Sequence, residues 1–346
     1  MDTVGLLMGL IRIPSFSREE GAAADFLEAW MRKNGFAEIH RAGNNLWVES
    51  GPQDERPTIL LNAHIDTVKP SPGYTRDPFE PALEGDVLYG LGSNDDGGSL
   101  VALMETYSLL LSKPQPYRLV ISATAEEEVC GKGGFDVFLQ RAGKIDFGII
   151  GEPTAMNMAV AEKGLMVLDC TAHGVSGHAA RNEGKNAIYE ALPSIEWFRT
   201  HVFPKVSEYL GSVKMTVTQI TAGTQHNVIP DRCDFVVDVR SNGLYSNPDL
   251  LKLIKASVRC DVKERSTRIG SSNIPMTHPV VKRGLELGLK PFGSPTTSNQ
   301  ALASFPTLKI GPGDSSRSHT ANEYIHISEI RDAVETYYRL LDGLEI

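Results

Sequence analysis

Apolar and polar positions follow two regimes along this chain. In the first, short runs that are apolar almost throughout end abruptly in ionisable residues: "TILLNAHIDTV" (58–68), "YRLVISATAEEE" (117–128) and "FGIIGEPT" (147–154). Continuous apolar runs of this length read as strands buried on both faces. Before them, "SREEGAAADFLEAWMRKNGF" (17–36) repeats apolar Phe26, Leu27 and Trp30 at helical intervals. Ser17, three residues ahead of Glu20, predicts a capping box at its start, and Gly35 a stop at its end. A further helix is predicted from Ser99 to Leu111. Strands alternating with helices predict an α/β fold, a mostly parallel mixed sheet flanked by helices.

The second regime runs over 165–272. "LMVLDCTAHG", "VKMTVTQITAG" and "CDFVVDVR" alternate apolar and polar positions around a helical segment, "NAIYEALPSIEWF". That alternation predicts a small α+β domain with one solvated sheet face. From Pro279 the first regime resumes with "VVKRGLELGLK" and "PTLKIGPG", and an amphipathic helix, "SEIRDAVETYYRLLDGL", closes the chain. A domain made of 1–164 and 273–346 is therefore expected, interrupted by a domain at 165–272.

Ionisable residues collect where the apolar strands end. His64 and Asp66 follow the first run, two residues apart and so on one face of an extended chain. Buried and unpaired they would be costly, so they call for a partner. "YGLGSNDDGGS" (89–99) places Asp95 and Asp96 in a glycine-rich loop that opens a helix. Glu126, Glu127 and Glu128 close the second run, Glu152 closes the third, and "GPGDSSRSHTANEY" (311–324) brings His319. In open α/β sheets ligands bind beyond the carboxyl ends of the strands, which predicts one acidic pocket holding two imidazoles. Carboxylates packed that closely repel unless a cation neutralises them. Nitrogen and carboxylate donors without cysteine suit zinc first, then cobalt or manganese. Two histidines and three acids are too many for one tetrahedral zinc and suit two ions with one carboxylate bridging. Two such ions about 3.5 Å apart activate a water and polarise a carbonyl, so hydrolysis is the expected reaction class.

Composition narrows the choice. The chain of 346 residues is long enough for about two domains, and 41% hydrophobic with 22% charged residues is ordinary for a globular protein. A net charge of −9 argues against binding a nucleic-acid backbone and fits small cationic substrates. No apolar run approaches the roughly 18 residues of a membrane span, and "MDTVGLLMGLIRIPSFSREE" lacks the basic leader of a signal peptide. The four cysteines form no C-x-x-C pair, so a reduced, cytoplasmic protein is expected. "GLGSNDDGG" lacks both the G-x-G-x-x-G spacing and a phosphate-binding lysine, and its aspartates would repel phosphate. Ser15, Ser17 and Ser318 lack the G-x-S-x-G setting of a serine nucleophile.

The order and spacing of these pieces resemble the M20 peptidase group of metallohydrolases, which includes acetylornithine deacetylase, succinyl-diaminopimelate desuccinylase, aminoacylase, carboxypeptidase G and peptidase T. The resemblance covers essentially the whole chain, from "IRIPSFSREEG" through "AHIDTV", "YGLGSNDDGGS", "TAEEEVCG", "GEPT", "HGVSGHAAR" and "NVIPDRCDFVVDVR" to "GPGDSSRSHTANEYI". It implies His64 and Glu152 as ligands of one metal, Asp95 as the bridging carboxylate, and Glu128 and His319 as ligands of the other. It implies Glu127 as general base and Asp66 as the carboxylate that orients the His64 ring. His178 matches a histidine that donates to the tetrahedral oxyanion, often across a dimer. Arg240 and Asn227 match positions that hold the substrate carboxylate. The inserted domain would serve as lid and homodimer contact. The implied activity is removal of an N-acyl group from a small amino acid. N-acetyl-ornithine, in arginine biosynthesis, is the first expectation; N-succinyl substrates come second and small peptides third. A metal-binding protein without catalysis is the alternative from another class, and a spare base at Glu127 argues against it. Five positions depart from the group's pattern. Leu91 stands for its arginine, Asp96-Gly97 stand for Met-Lys and make Asp96 a second candidate ligand, and Asn182 and Asn299 are expected on the substrate side.

Overall fold

The computed structural model describes residues 2–52, 54–181 and 183–346, so Asn182 lies outside the described residues. The chain divides into two compact units, one of 1–160, 273–292 and 298–346, the other of 161–272 and 293–297.

The first unit is built on a mixed sheet. Its centre is Thr58–His64, buried at every position and parallel to Arg118–Thr124 on one side and Phe147–Ile150 on the other. Thr307–Lys309 continues the parallel set beside Phe147–Ile150. Antiparallel strands flank this centre: Asn45–Glu49 beside Arg118–Thr124, and Met158–Glu162 beside Thr307–Lys309. The apolar runs read as doubly buried strands are these central ones, and helices supply the cover. Gly98–Leu110 is buried on nearly all sides and packs against Ile327–Leu341, whose Tyr337 hydroxyl donates to the Ile310 carbonyl at 2.6 Å. Because the four central strands run the same way, the residues that follow them emerge at one edge.

One expectation fails in a way that bears on the site. The helix begins at Gly21 with Glu20 as its cap, and no capping box forms with Ser17. The Ser17 hydroxyl instead donates to Asp66 Oδ2 at 2.7 Å, while Glu20 Oε1 accepts the Arg18 N–H at 2.6 Å. A charged acceptor makes a stronger hydrogen bond than a neutral one, and Asp66 is buried where no water can replace the donor.

The second unit is a four-stranded antiparallel sheet in the order Lys214–Ala222, Arg232–Arg240, Leu165–His173, Asp261–Ile269. Burial alternates strictly along Leu165–His173 and Arg232–Arg240, as the sequence pattern requires of a sheet covered on one face. The covered face, with Met166, Leu168, Cys170, Phe235, Val237 and Val239, forms one core with Phe198 of helix Ala187–Thr200 and Leu250 and Ile254 of helix Asn247–Ser257. The other face carries ion pairs such as Asp169–Arg265 at 2.8 Å. Among the described residues no helix is long and apolar enough to cross a membrane.

Leu61 is fully buried at the middle of the central strand. Leu61→Ala should destabilise the first unit by about 2–5 kcal/mol, measured as a lowered urea midpoint, through lost transfer energy and the cavity left behind.

Candidate metal centre

His64 ends the central strand and is 2% exposed. Its Nδ1 lies 2.9 Å from the Asp66 carbonyl oxygen and 3.5 Å from Asp66 Oδ1. That partner fixes the tautomer in which Nε2 faces away from Asp66, toward the acids of the neighbouring loops. Nε2 stands 3.1 Å from Asp95 Oδ1 and 3.9 Å from Glu127 Oε2.

Asp95 reaches this position from a loop that its neighbours hold tightly. The loop turns at Gly92, whose φ of 75° favours glycine and whose Cβ, if present, would stand 2.7 Å from Thr67 Cγ2. Its backbone is gripped by a buried carboxylate. Glu323 accepts the N–H groups of Gly92 at 3.1 Å, Asn94 at 2.9 Å and Asp95 at 2.9 Å. The Asp95–Asp96 peptide is cis. Asn94 stitches the same loop to the one carrying His319, donating to the Asp314 carbonyl and Ser318 Oγ and accepting the Asp314 N–H. His319 Nε2 lies 3.0 Å from Glu128 Oε2 and 3.7 Å from Asp95 Oδ2.

Two overlapping groups of donors result. His64, Glu127 and Glu152 can bring one donor atom each within 4.8 Å of one another, and so can His64, Asp95 and Glu128. Their electrostatics are those of a crowded acidic site. Burial pushes the Glu127 carboxyl up to about 8, and the charges of Glu128, Asp66 and Asp95 add to it. Burial, then Glu127 and Asp95, raise Glu152 well above the carboxylate range. Burial raises Glu128, and Asp96 reaches about 7 for the same reason. The imidazoles move the same way for the opposite reason. The hydrogen bond to Glu128 raises His319 to about 9. For His64, burial disfavours the cation, but the bonds to Asp66 and Asp95 overcome it. Protons are thus held where negative charge has been packed out of water. A divalent ion would replace them, and a set of imidazole nitrogens and carboxylate oxygens without thiolate fits zinc, cobalt or manganese.

Residues 60–343 match the sequence model of Peptidase family M20/M25/M40. The chain belongs to that family. It is a hydrolase acting on amide bonds. Its relatives include succinyl-diaminopimelate desuccinylase of Xylella fastidiosa, 26% identical over 99% of this chain and 98% of that protein. They also include the [LysW]-lysine/[LysW]-ornithine hydrolase of Sulfurisphaera tokodaii, 29% identical over 98% of this chain and 94% of that protein. Among solved structures, a tripeptidase from Staphylococcus aureus shares the fold at a TM-score of 0.78 with 18% identity, covering 98% of this chain and 97% of its own. A dinuclear metal-binding peptidase of the M20 family from Bacillus subtilis does so at 0.75 with 15% identity, covering 98% and 96%.

The family fold brings seven of the ten residues singled out in the sequence into the first unit: His64, Asp66, Asp95, Glu127, Glu128, Glu152 and His319. The other three lie in the second unit. His178, exposed, sits in a two-residue strand paired with Val228–Ile229, and the Ala179 N–H donates to the Asn227 carbonyl beside it. The Arg240 guanidinium is engaged by Asp238 of its own strand at 2.8 and 3.1 Å. Asn299, expected on the substrate side, lies in the first unit. It is 4% exposed, and its amide donates to Asn62 Oδ1 and Thr124 Oγ1 at 3.1 Å each, inside the sheet layer. Glu323 escaped the sequence reading, as did Ser17 and Glu20 as partners of the site. An acid in a loop reads as solvated, and its one signal was the position of Glu323 four residues after His319.

The raised groups fix a sign. A carboxyl at about 8 in the folded chain and near 4.5 in the unfolded one contributes stability below pH 4.5 that is lost as pH rises through 8. His319, raised from 6.5 to about 9, contributes in the same sense. The Tm of the metal-free protein should therefore fall between about pH 5 and 9, and zinc should remove the slope. Scanning fluorimetry across this range checks it; a flat or rising Tm without metal would contradict it.

Proposed function

We propose that the protein is a two-metal amidohydrolase that frees a small amino acid from its N-acyl derivative, with N-acetyl-ornithine as first substrate and N-succinyl-ornithine, -diaminopimelate or -citrulline as the alternatives. The observation that carries the reading is the adjacent pair Glu127 and Glu128 among the imidazoles. Glu128 Oε2 faces His319 Nε2 at 3.0 Å, while Glu127 Oε2 stands farther from its nearest imidazole, 3.9 Å from His64 Nε2, with a carboxyl raised to about 8. In this reading Glu128 serves as a ligand while its neighbour Glu127 moves protons.

In this reading His64, Glu152 and Asp95 would hold one ion, and Asp95, Glu128 and His319 the other. Bound there, zinc or a similar ion would polarise the amide carbonyl and acidify a water. Glu127 takes the proton from the attacking water and delivers it to the leaving amine, so the products are a free amino group and a carboxylate. Asp66 keeps the His64 ring in its tautomer. His178 is the donor to the developing oxyanion, and Arg240 and Asn227 hold the substrate carboxylate, which a planar guanidinium can do with two bonds. The second unit is the surface through which a homodimer forms.

Two features support a diamino-acid product. The names of the relatives pair an amide-linked group with diaminopimelate, lysine or ornithine. The net charge of −9 favours approach of a substrate with a free ammonium group.

Amine release from matched N-acetyl and N-succinyl derivatives of ornithine, diaminopimelate and citrulline, and from di- and tripeptides, tests this. Chelator-sensitive turnover of an acyl-ornithine is expected; turnover of peptides alone would replace the reading with a peptidase. Glu127→Gln should keep its metal and lose about 10²–10⁴ in kcat. Wild-type turnover in that variant would remove Glu127 from the mechanism.

A further inference from the structure

Past the strand Arg118–Thr124, four successive backbone N–H groups are each taken by a side chain. Ala125 donates to Asn45 Oδ1 at 3.0 Å and Glu126 to Glu20 Oε1 at 3.2 Å. Glu127 donates to Asp66 Oδ1 at 2.9 Å and Glu128 to Asp66 Oδ2 at 3.1 Å. The turn has left the sheet here, and Glu126 stands at φ 57°. A loop fastened residue by residue holds its side chains in place more firmly than one fastened only at its ends.

The carboxylates that make this grip are themselves fixed. Glu20 is 0% exposed and also accepts the Arg18 N–H at 2.6 Å and Asn44 Nδ2 at 2.8 Å. Asp66 is 1% exposed, and the Ser17 hydroxyl on Oδ2 at 2.7 Å sets the rotation that presents one oxygen to each amide. The segment that supplies Ser17 and Glu20 is anchored beside Asp66, where the Thr67 N–H donates to the Ser15 carbonyl at 2.9 Å and Phe16 bridges to Thr67.

We propose that Ser17 and Glu20, both outside the 60–343 span of the family match, are positioning residues for the hydrolysis. Ser17 acts through the Asp66 carboxylate, and Glu20 acts directly on the backbone of the acid turn. Together they hold 126–128 so that two consecutive side chains serve two different tasks. Glu127 Oε2 points to His64 Nε2 at 3.9 Å and Glu128 Oε2 to His319 Nε2 at 3.0 Å. Without the grip the turn can rotate, and an acid one rotamer out of place is a poor base even with the metals bound. The proposal rests on Glu127 as general base.

The test uses Ser17→Ala, Ser17→Thr and Glu20→Gln in the full chain, with kcat, KM, metal content and Tm, and amide hydrogen exchange of the 125–130 peptide in the metal-free protein. In Ser17→Ala, kcat should fall about tenfold with KM and metal content kept, and the 127 and 128 amides should exchange about tenfold faster. Ser17→Thr, which keeps the hydroxyl, should restore both. Glu20→Gln, which leaves only a neutral amide oxygen to accept the 126 N–H and puts an NH₂ toward Asn44, should lower kcat in the same way and speed exchange of the 126 amide. Unchanged kcat in both Ser17→Ala and Glu20→Gln overturns the proposal. A loss of kcat without faster exchange, or one matched by lost metal, also overturns it. Glu127→Gln separates the two readings: if it stays active the assignment of the base fails, whereas wild-type behaviour of Ser17→Ala and Glu20→Gln beside an inactive Glu127→Gln fails the positioning role alone.

Discussion

Negative charge packed out of water is the constraint on which this structure turns. Asp95, Glu127, Glu128 and Glu152 meet around His64, and burial pushes the carboxyls of Glu127, Glu128 and Glu152 upward. Such a cluster is stable only with cations, and the two imidazoles supply too little charge to balance it. The parallel centre of the sheet is what creates the problem and makes it useful. Four strands that run the same way deliver their following residues to one edge, and that edge gathers the acids and imidazoles into a group that could hold a metal ion.

Around that cluster the fold spends further acids on its own backbone. Glu323 holds the loop of Asp95, while Asp66 and Glu20 hold the turn of Glu127 and Glu128. A carboxylate that accepts several N–H groups keeps a loop rigid without occupying a metal position, and charged acceptors make the strongest bonds available to a backbone amide. Asn94 then ties the Asp95 loop to the His319 loop, so residues far apart in sequence share one frame. Loops without regular hydrogen bonding thereby gain the fixity that proton transfer over short distances needs.

Much of this was legible in the sequence because burial and period speak directly. "TILLNAH" had to be a doubly buried strand, and "LMVLDCTAH" a half-buried one; both are. His64, Asp95, Glu127, Glu128, Glu152 and His319 stood out because ionisable residues at the ends of apolar runs demand a partner. What stayed hidden depends on contacts between distant segments. Ser17 carried a capping-box spacing, yet a stronger acceptor, Asp66, won its hydroxyl. Asn299 sat in a polar stretch, yet the buried Asn62 and Thr124 needed its amide. Nothing local in "NEY" says that Glu323 faces inward to three N–H groups. Pairing of this kind is set by the tertiary fold, and local pattern is silent about it.

The most direct measurement is a crystal structure of the protein loaded with zinc, with anomalous maps collected at the zinc edge. Two peaks are expected about 3.5–4 Å apart, sharing Asp95, one against His64 and Glu152 and the other against Glu128 and His319. A single peak, or metal bound elsewhere while this cluster stays empty, would contradict the two-metal account.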